Sequence, residues 1–356
     1  MRLAAALVAA ASLGAARAGA AGVRVGPPLW VVPERVPAEV ARQASNNNVA
    51  VALFRGRLYM AYRSGPHHFA SKEAALHVLS SADEGASWRH ERTLRLGRDV
   101  REPSLVPWKG RLLLYYVVLG ASATAYEPGA VWKTELGEGG VWSEPREGAR
   151  PGDVVWEVKA RRGRLWRSVW SGARYGLRVP RVELRFESSE DGDATGFGSH
   201  LVSAPAGEPG AWAFPAASSP LRYDSPRLFE QGGELYLLAR RDPTGPYERG
   251  WTRLPMPLRR LAYMIRYWLT PKRTALYRLD RAKREVVHLA DLPSAGDTAF
   301  PAVVRLGPRT WLAANYTSPL DAPGASWLRG QTSRRGTGIY LVRLEFGAGA
   351  APPAAP

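Results

Sequence analysis

Short apolar runs alternate with polar turns along most of this chain, and the apolar positions almost nowhere follow a helical period. Five segments repeat one layout: a polar or acidic leader, a short strand, a glycine turn, then an apolar-aromatic strand. The first runs from Asn47 to Phe54 and turns at Gly56 into Leu58 to Arg63. The second runs from Arg101 to Val106 and turns at Gly110 into Leu112 to Tyr116. The third runs from Trp156 to Lys159 and turns at Gly163 into Leu165 to Trp170. The fourth runs from Asp224 to Phe229 and turns at Gly233 into Leu235 to Arg240. The fifth runs from Asp297 to Val303 and turns near Gly307 into Trp311 to Tyr316.

The leaders Asn48, Glu102, Glu157, Asp224 and Asp297 lie 54, 55, 67 and 73 residues apart. A period of this size holds one four-stranded sheet, and short strands with regular turns predict an all-β chain folded as a β-propeller. Five blades are expected. Six is the alternative, if Ala211 to Pro215 or the region around Leu254 holds a degenerate repeat. Only Pro257 to Leu269 carries a helical pattern, predicting a short helical insertion in the fourth repeat.

The ends of the chain read differently. Met1-Arg2, an apolar run from Leu3 to about Ala15, and the small residues up to Ala20 predict a signal peptide over 1–20 and export to the periplasm or medium. Residues 21–346 then form a single propeller domain. The Gly, Ala and Pro tail over 347–356 predicts disorder. The apolar stretch Leu261 to Leu269 is interrupted by Arg266 and is too short for a membrane span.

Composition narrows the chemistry. The chain has 356 residues, 45% of them hydrophobic, which excludes disorder of the whole. It contains no Cys, which excludes a disulfide scaffold, thiol nucleophiles and iron–sulfur clusters. Its 49 Lys+Arg against 32 Asp+Glu give a net charge of +17, a field that attracts acidic partners. Basic–aromatic clusters are absent, so no nucleic-acid partner is expected. His67-His68 and His77 have no carboxylate at metal spacing nearby and read as a polar loop. No metal and no cofactor are expected, and no Walker A loop, dinucleotide fingerprint or Ser-His-Asp signature stands in a supporting context.

One local motif is specific. Ser81-Ala82-Asp83-Glu84-Gly85-Ala86-Ser87-Trp88 fits S-x-D-x-G-x-x-W and follows the alternating stretch Ala75 to Ser80. Asp and Ser can bind turn amides there, Gly takes a positive φ, and Trp packs between strands. A partial copy stands at Ser189-Glu190-Asp191-Gly192. With the five repeats and Gly296-Asp297-Thr298-Ala299-Phe300-Pro301, this motif resembles the sialidase-like (BNR/Asp-box) proteins over about Ser45 to Leu344. The leaders Arg101-Glu102-Pro103 and Asp224-Ser225-Pro226 resemble the acid-Pro motifs of five-bladed glycosidases. The resemblance implies carboxylates at the starts of the innermost strands, pointing into a central funnel. Where sialidases open with Arg-Ile-Pro, this chain reads Asn47-Asn48-Val49-Ala50, so one arginine of the sialidase carboxylate-binding triad is missing at its usual place.

Glycoside hydrolysis uses two carboxyl groups, one protonating the leaving oxygen and one acting from the other face of the sugar. Glu102, Asp224 and Asp297 are the catalytic candidates, with Asp224 expected as the general acid, Glu102 as the second carboxylate and Asp297 as an orienting group. Asn48, Arg63, Arg101, Trp156, Glu157, Arg227, Arg240 and Tyr316 are the candidate substrate-binding residues. The arginines suit a carboxylate, and Trp156 and Tyr316 offer ring faces to a sugar. Tyr316 has a further reading as a nucleophile of the sialidase kind. The expected function is an exported, monomeric glycoside hydrolase acting on a terminal sugar, acidic or neutral. The alternative is a non-catalytic propeller that binds carbohydrate or protein.

Overall fold

A computed structural model describes residues 22–124, 129–148, 153–161, 163–171, 183–189, 198–202, 224–244, 255–280, 283 and 285–347. After the N-terminal strands β1 (Val23–Val25) and β2 (Leu29–Val32) come four antiparallel sheets of four strands each. They are β3 to β6 (Ser45–Phe54, Arg57–Gly65, Ala75–Ser81, Arg89–Leu94) and β7 to β10 (Val100–Trp108, Arg111–Val118, Ala130–Leu136, Arg146–Gly148). Next are β11 to β14 (Asp153–Arg161, Arg164–Ser171, Glu183–Ser189, Gly198–Val202) and β15 to β18 (Asp224–Gln231, Glu234–Arg241, Arg273–Asp280, Glu285–Asp291). A closing sheet joins β19 (Thr298–Arg305), β20 (Thr310–Thr317) and β21 (Gly338–Phe346) to β1 and β2, both of which pair with β21. The helix α1 (Met256–Leu269) lies between β16 and β17, and α2 (Trp327–Thr332) lies between β20 and β21.

Local chemistry explains the strands. The loop between β3 and β4 is Arg55-Gly56 and that between β7 and β8 is Lys109-Gly110. All four residues have positive φ, between 44° and 77°, the backbone of a two-residue turn whose twist matches the strands. Within each sheet, alternate residues feed different cores. In β4, Leu58, Met60 and Tyr62 pack with Ala302, Leu312 and Tyr316 of the closing sheet. Tyr59 and Ala61 of the same strand pack with Val100, Leu112 and Tyr116 of the next sheet. A sheet buried on both faces has no polar side, which is why these strands read as continuous apolar runs.

The first strands of the sheets form a ring. β3 lies against β7 and β19, β7 against β11, and β15 against β19. Between β11 and β15, Lys159 Nζ donates to the Leu228 carbonyl and Arg227 Nη1 lies 3.8 Å from Glu157 Oε1. The fold is thus an all-β propeller with β3, β7, β11, β15 and β19 innermost. β1 and β2 complete the sheet that β19 to β21 begin, so the two ends of the described chain are held by one ladder (Val23 opposite Phe346).

The hairpin between β5 and β6 is tied by its own side chains. Ser81 Oγ accepts from Gly85 N at 2.7 Å, and Asp83 accepts from Ser87 N at 2.9 Å and from the Ser81 and Ser87 hydroxyls. These bonds hold the Asp83 carboxyl down to about 2. Trp88 Nε1 donates to the Gly85 carbonyl and its ring packs on the core shared with the closing sheet. The partial copy of this motif, Glu190 to Gly192, lies outside the described residues, as do Ala211 to Pro215 and Leu254, the expected places of a sixth repeat. Residues 1–20 lie outside them too, as do 348–356 of the expected disordered tail. No helix among the described residues is long and apolar enough to cross a membrane.

Candidate functional site

All five innermost strands carry a register break near their first third. It falls between Asn47 and Val49, Arg101 and Ser104, Val155 and Glu157, Asp224 and Arg227, and Ala299 and Ala302. Each break leaves one extra residue on the inner strand, a β-bulge that turns a side chain off the ladder. Asn48 (φ 48°), Glu102 (φ 52°) and Phe300 (φ 50°) sit at these breaks in the left-handed region. Such strained backbone at an equivalent point of successive sheets marks the ring as the place where the fold aims side chains.

The bulges correct the repeat offset expected from the sequence. Asn48 and Glu102 are equivalent, but Glu157 lies one residue past its bulge, Asp224 one residue before, and Asp297 precedes β19 altogether. Only Asp224 is the first residue of its strand; Glu102 is the third of β7. The side chains of Trp156 and Asp224 lie outside the described residues. A bulge adds a residue only once two strands pair, so an offset counted along one chain misses it.

Glu102 is the central titratable group. Asn48 Nδ2 donates to Glu102 Oε1 at 3.0 Å across the boundary between the first two sheets. Glu102 Oε2 is buried, with no hydrogen-bond partner among the described residues. Burial raises the carboxyl from 4.5 to about 7, and Asp99 adds to this, while Arg101, Arg227 and Arg240 act against it. The sequence expectation was the reverse, an ionised Glu102 beside Arg101. The difference arises because burial outweighs the pull of Arg101, whose Nε pairs with Asp99 Oδ2 and whose Nη2 donates to the His68 carbonyl at 3.0 Å.

Arg63 and Arg101 form a brace within the wall. Arg63 has no exposed surface, and its Nε and Nη2 reach Asp99 Oδ1 at 2.9 and 2.7 Å. Its remaining donors hold the loop carbonyls of His67 and Phe69. Burial pushes the Asp99 carboxyl up, but the two guanidiniums outweigh it and hold it below the ordinary range. Arg63 is therefore placed to fix the loop 66–69 and not to meet a ligand. Sequence reasoning missed Asp99, which directly precedes β7 and pairs with Arg101 of that strand.

Asp297 and Tyr316 also lie in the wall. Both are fully buried, and Tyr316 Oη donates to Asp297 Oδ1 at 3.2 Å. His68 Nδ1 stands 2.6 Å from Asp297 Oδ2, with Asn47 Nδ2 at 3.3 Å from the same nitrogen. Burial lowers the His68 imidazole against the pull of Asp297, so its net displacement is downward. Burial, reinforced by Asp297, raises the Tyr316 phenol well above 10. A phenol so protected is a hydrogen-bond donor, and its ring has no open face for a sugar.

Arg227 and Arg240 hold the bulge of β19. Arg227 Nε donates to Pro301 O at 3.0 Å and Arg240 Nε to Thr298 O at 2.8 Å. The Arg240 guanidinium lies over the rings of Phe300 and Trp327, at 5.6 and 5.3 Å, and donates to the Tyr267 hydroxyl. Phe300 and Trp327 are half-buried aromatics that sequence reasoning did not single out. Trp327 is seated by α2, which packs so closely that a Cβ on Gly330 would lie 2.1 Å from Asp297 N. Glu157, with 26% of its side chain exposed, meets Lys159 Nζ at 3.1 Å besides Arg227. Among the described residues no group of three His, Cys, Asp or Glu could hold a metal ion.

The arrangement joins a carboxyl raised to about 7 on β7 to Arg227 of β15, Arg240 of β16 and the half-buried aromatics Phe300 of β19 and Trp327 of α2. No family model matches the chain, and no curated protein matches it. Solved structures do. A protein of unknown function from Dyadobacter fermentans has a TM-score of 0.54 at 13% identity, over 91% of this chain and 99% of that one. The GH43_1 enzyme from Xanthomonas citri complexed with xylotriose has a TM-score of 0.50 at 13% identity, over 91% of each chain. The Bombyx mori GH32 beta-fructofuranosidase in complex with sucrose has a TM-score of 0.50 at 14% identity, over 89% of this chain. This chain spans 62% of that enzyme's length. At such identities the likeness is one of fold: this chain is a β-propeller of the architecture that glycoside hydrolases of these kinds share.

Proposed function

We propose that the ring of bulged strands is the sugar site of a glycoside hydrolase, with Glu102 as its general acid. The observation that carries this is the buried Glu102 carboxyl, raised to about 7, with one oxygen that has no partner among the described residues. A general acid must hold its proton at working pH and deliver it in the transition state, and a desolvated carboxyl near 7 does both. This gives Glu102 the acid role that the sequence reading assigned to Asp224. The second carboxylate is Glu157 or Asp224, which flank the Arg227 position on neighbouring inner strands. Phe300 and Trp327 supply ring faces, and Arg227 and Arg240 favour a sugar bearing negative charge.

The finer reading is part of the same proposal. Four four-stranded sheets stand as blades where five were expected; we read the closing sheet as the fifth, and the Ser81 to Trp88 hairpin as an Asp-box of the sialidase-like kind. Residues 1–20 are read as an export signal and the protein as a monomer acting on terminal sugars. The test is hydrolysis of an aryl glycoside panel, sialoside included, by the parent and by Glu102→Gln, Glu157→Gln and Asp224→Asn. Glu102→Gln should lose roughly a hundredfold or more on poor leaving groups and much less on activated aryl glycosides. Equal loss on both removes Glu102 from the acid role.

One observation favours a second reading, a propeller that binds sugar without cleaving it. Asn48 holds the bulge equivalent to Glu102, and an amide cannot act as base or nucleophile there. Saturable glycan binding by a parent protein that turns over no member of the panel would select this reading.

A further inference from the structure

The helix α1 turns an apolar stripe outward. Leu258, Leu261, Ile265, Trp268 and Leu269 are all exposed, from 40% for Trp268 to 61% for Leu269. At 100° per residue these five positions fall within an arc of about 100°. Tyr267, on the opposite side, is buried, with its ring 4.9 Å from that of Trp327 and its hydroxyl on Arg240. A surface helix normally faces its apolar stripe to the core, whereas these five apolar residues are exposed.

The charge around the stripe says what covers it. Within α1 itself the sequence holds three basic residues, Arg259, Arg260 and Arg266, and no acidic one. Arg259 and Arg266 fall at helical positions bordering one edge of the stripe. The chain as a whole carries +17. At 14 residues the helix is about 21 Å long, too short to cross a bilayer but long enough to lie along one. An apolar face with arginine positions along one edge, and tryptophan among its exposed side chains, suits an interfacial membrane helix.

We propose that α1 docks this propeller on an anionic lipid surface, its apolar stripe entering the headgroup boundary and its arginines meeting lipid phosphates. The docking is independent of the reading of the sugar site. The same residue that roots α1 in the protein, Tyr267, touches Arg240, so docking fixes the ring of bulged strands close to the membrane.

The experiment is co-sedimentation of the full chain with vesicles of phosphatidylcholine alone and of phosphatidylcholine mixed with phosphatidylglycerol, at low and high salt. The parent should partition onto the mixed vesicles and be weakened by salt. Ile265→Asp/Trp268→Asp should lower the bound fraction roughly tenfold or more, because both charges would enter lipid. Arg259→Gln should weaken binding to mixed vesicles only. Thermal unfolding of the double variant accompanies the assay, since exposed positions should tolerate Asp. No binding by the parent overturns the proposal. So does a double variant that binds as the parent does. A parent that forms dimers which the double variant breaks, with no vesicle binding, would assign the stripe to a second copy. A double variant that loses thermal stability, again without vesicle binding by the parent, would assign it to another segment of this chain.

Discussion

Glu102 is costly to the fold, and its replacement by Gln should show how costly. The folded carboxyl titrates at about 7 against an ordinary 4.5. Between these values the native state keeps a proton that the unfolded chain has released, so stability falls as pH rises through the window. Above about pH 7 the loss is complete, at roughly 3 kcal/mol for a displacement of this size, and nearer 2 if solvent at the half-buried side chain screens part of it. Glutamine keeps an oxygen to accept from Asn48 Nδ2 and cannot ionise. Glu102→Gln should therefore match the parent in stability near pH 4.5 and exceed it by about 2–3 kcal/mol near pH 8. Urea unfolding of both proteins across that range reads the difference directly. A difference that is constant with pH, or a variant less stable than the parent at pH 8, refutes the reasoning that burial governs Glu102. A companion readout is turnover, which should decline in the parent as pH rises through about 7 if this carboxyl is the acid.

Three further outcomes follow from the wall and the rim. Asp99→Ala strands the guanidiniums of Arg63 and Arg101 in a buried site and should lower unfolding free energy by about 3–5 kcal/mol, measured by urea titration. Tyr316→Phe removes one buried hydroxyl from Asp297 and should cost about 1 kcal/mol of stability while sparing most turnover; loss of turnover beyond a hundredfold would restore the phenol as a nucleophile. Asp83→Ala dissolves the side-chain bonds of the β5–β6 turn, so its melting temperature should fall while glycan binding is unchanged; weaker binding at equal stability would contradict a purely structural hairpin.

The loop 66–69 shows how far the propeller uses arginine for construction. Arg63 and Arg101 between them hold the carbonyls of His67, His68 and Phe69. That brings His68 to Asp297 across the boundary between the first sheet and the closing sheet. A strongly basic chain thus spends part of its charge inside the walls, where Asp99 and backbone carbonyls neutralise it. Arg227 and Arg240 in turn hold the carbonyls of Pro301 and Thr298, where a bulge opens the β19 ladder.

What the sequence determined by itself is the architecture. A two-residue period interrupted by glycine turns at Gly56, Gly110, Gly163 and Gly233 specifies hairpins, and hairpins repeated at a common period specify a propeller. These are local effects, set by φ and by which side chains alternate. The tertiary structure alone decided the site. Whether the Glu102 carboxyl keeps its proton depends on its burial between sheets, which outweighs the neighbouring Arg101. The bulges that separate Glu102 from Glu157, Asp224 and Asp297 exist only between paired strands. The burial of Arg63, Tyr316 and Asp297 depended on sheets brought together from opposite ends of the chain. Desolvation and charge act through space over a few ångströms, so no spacing along the sequence carries their sign.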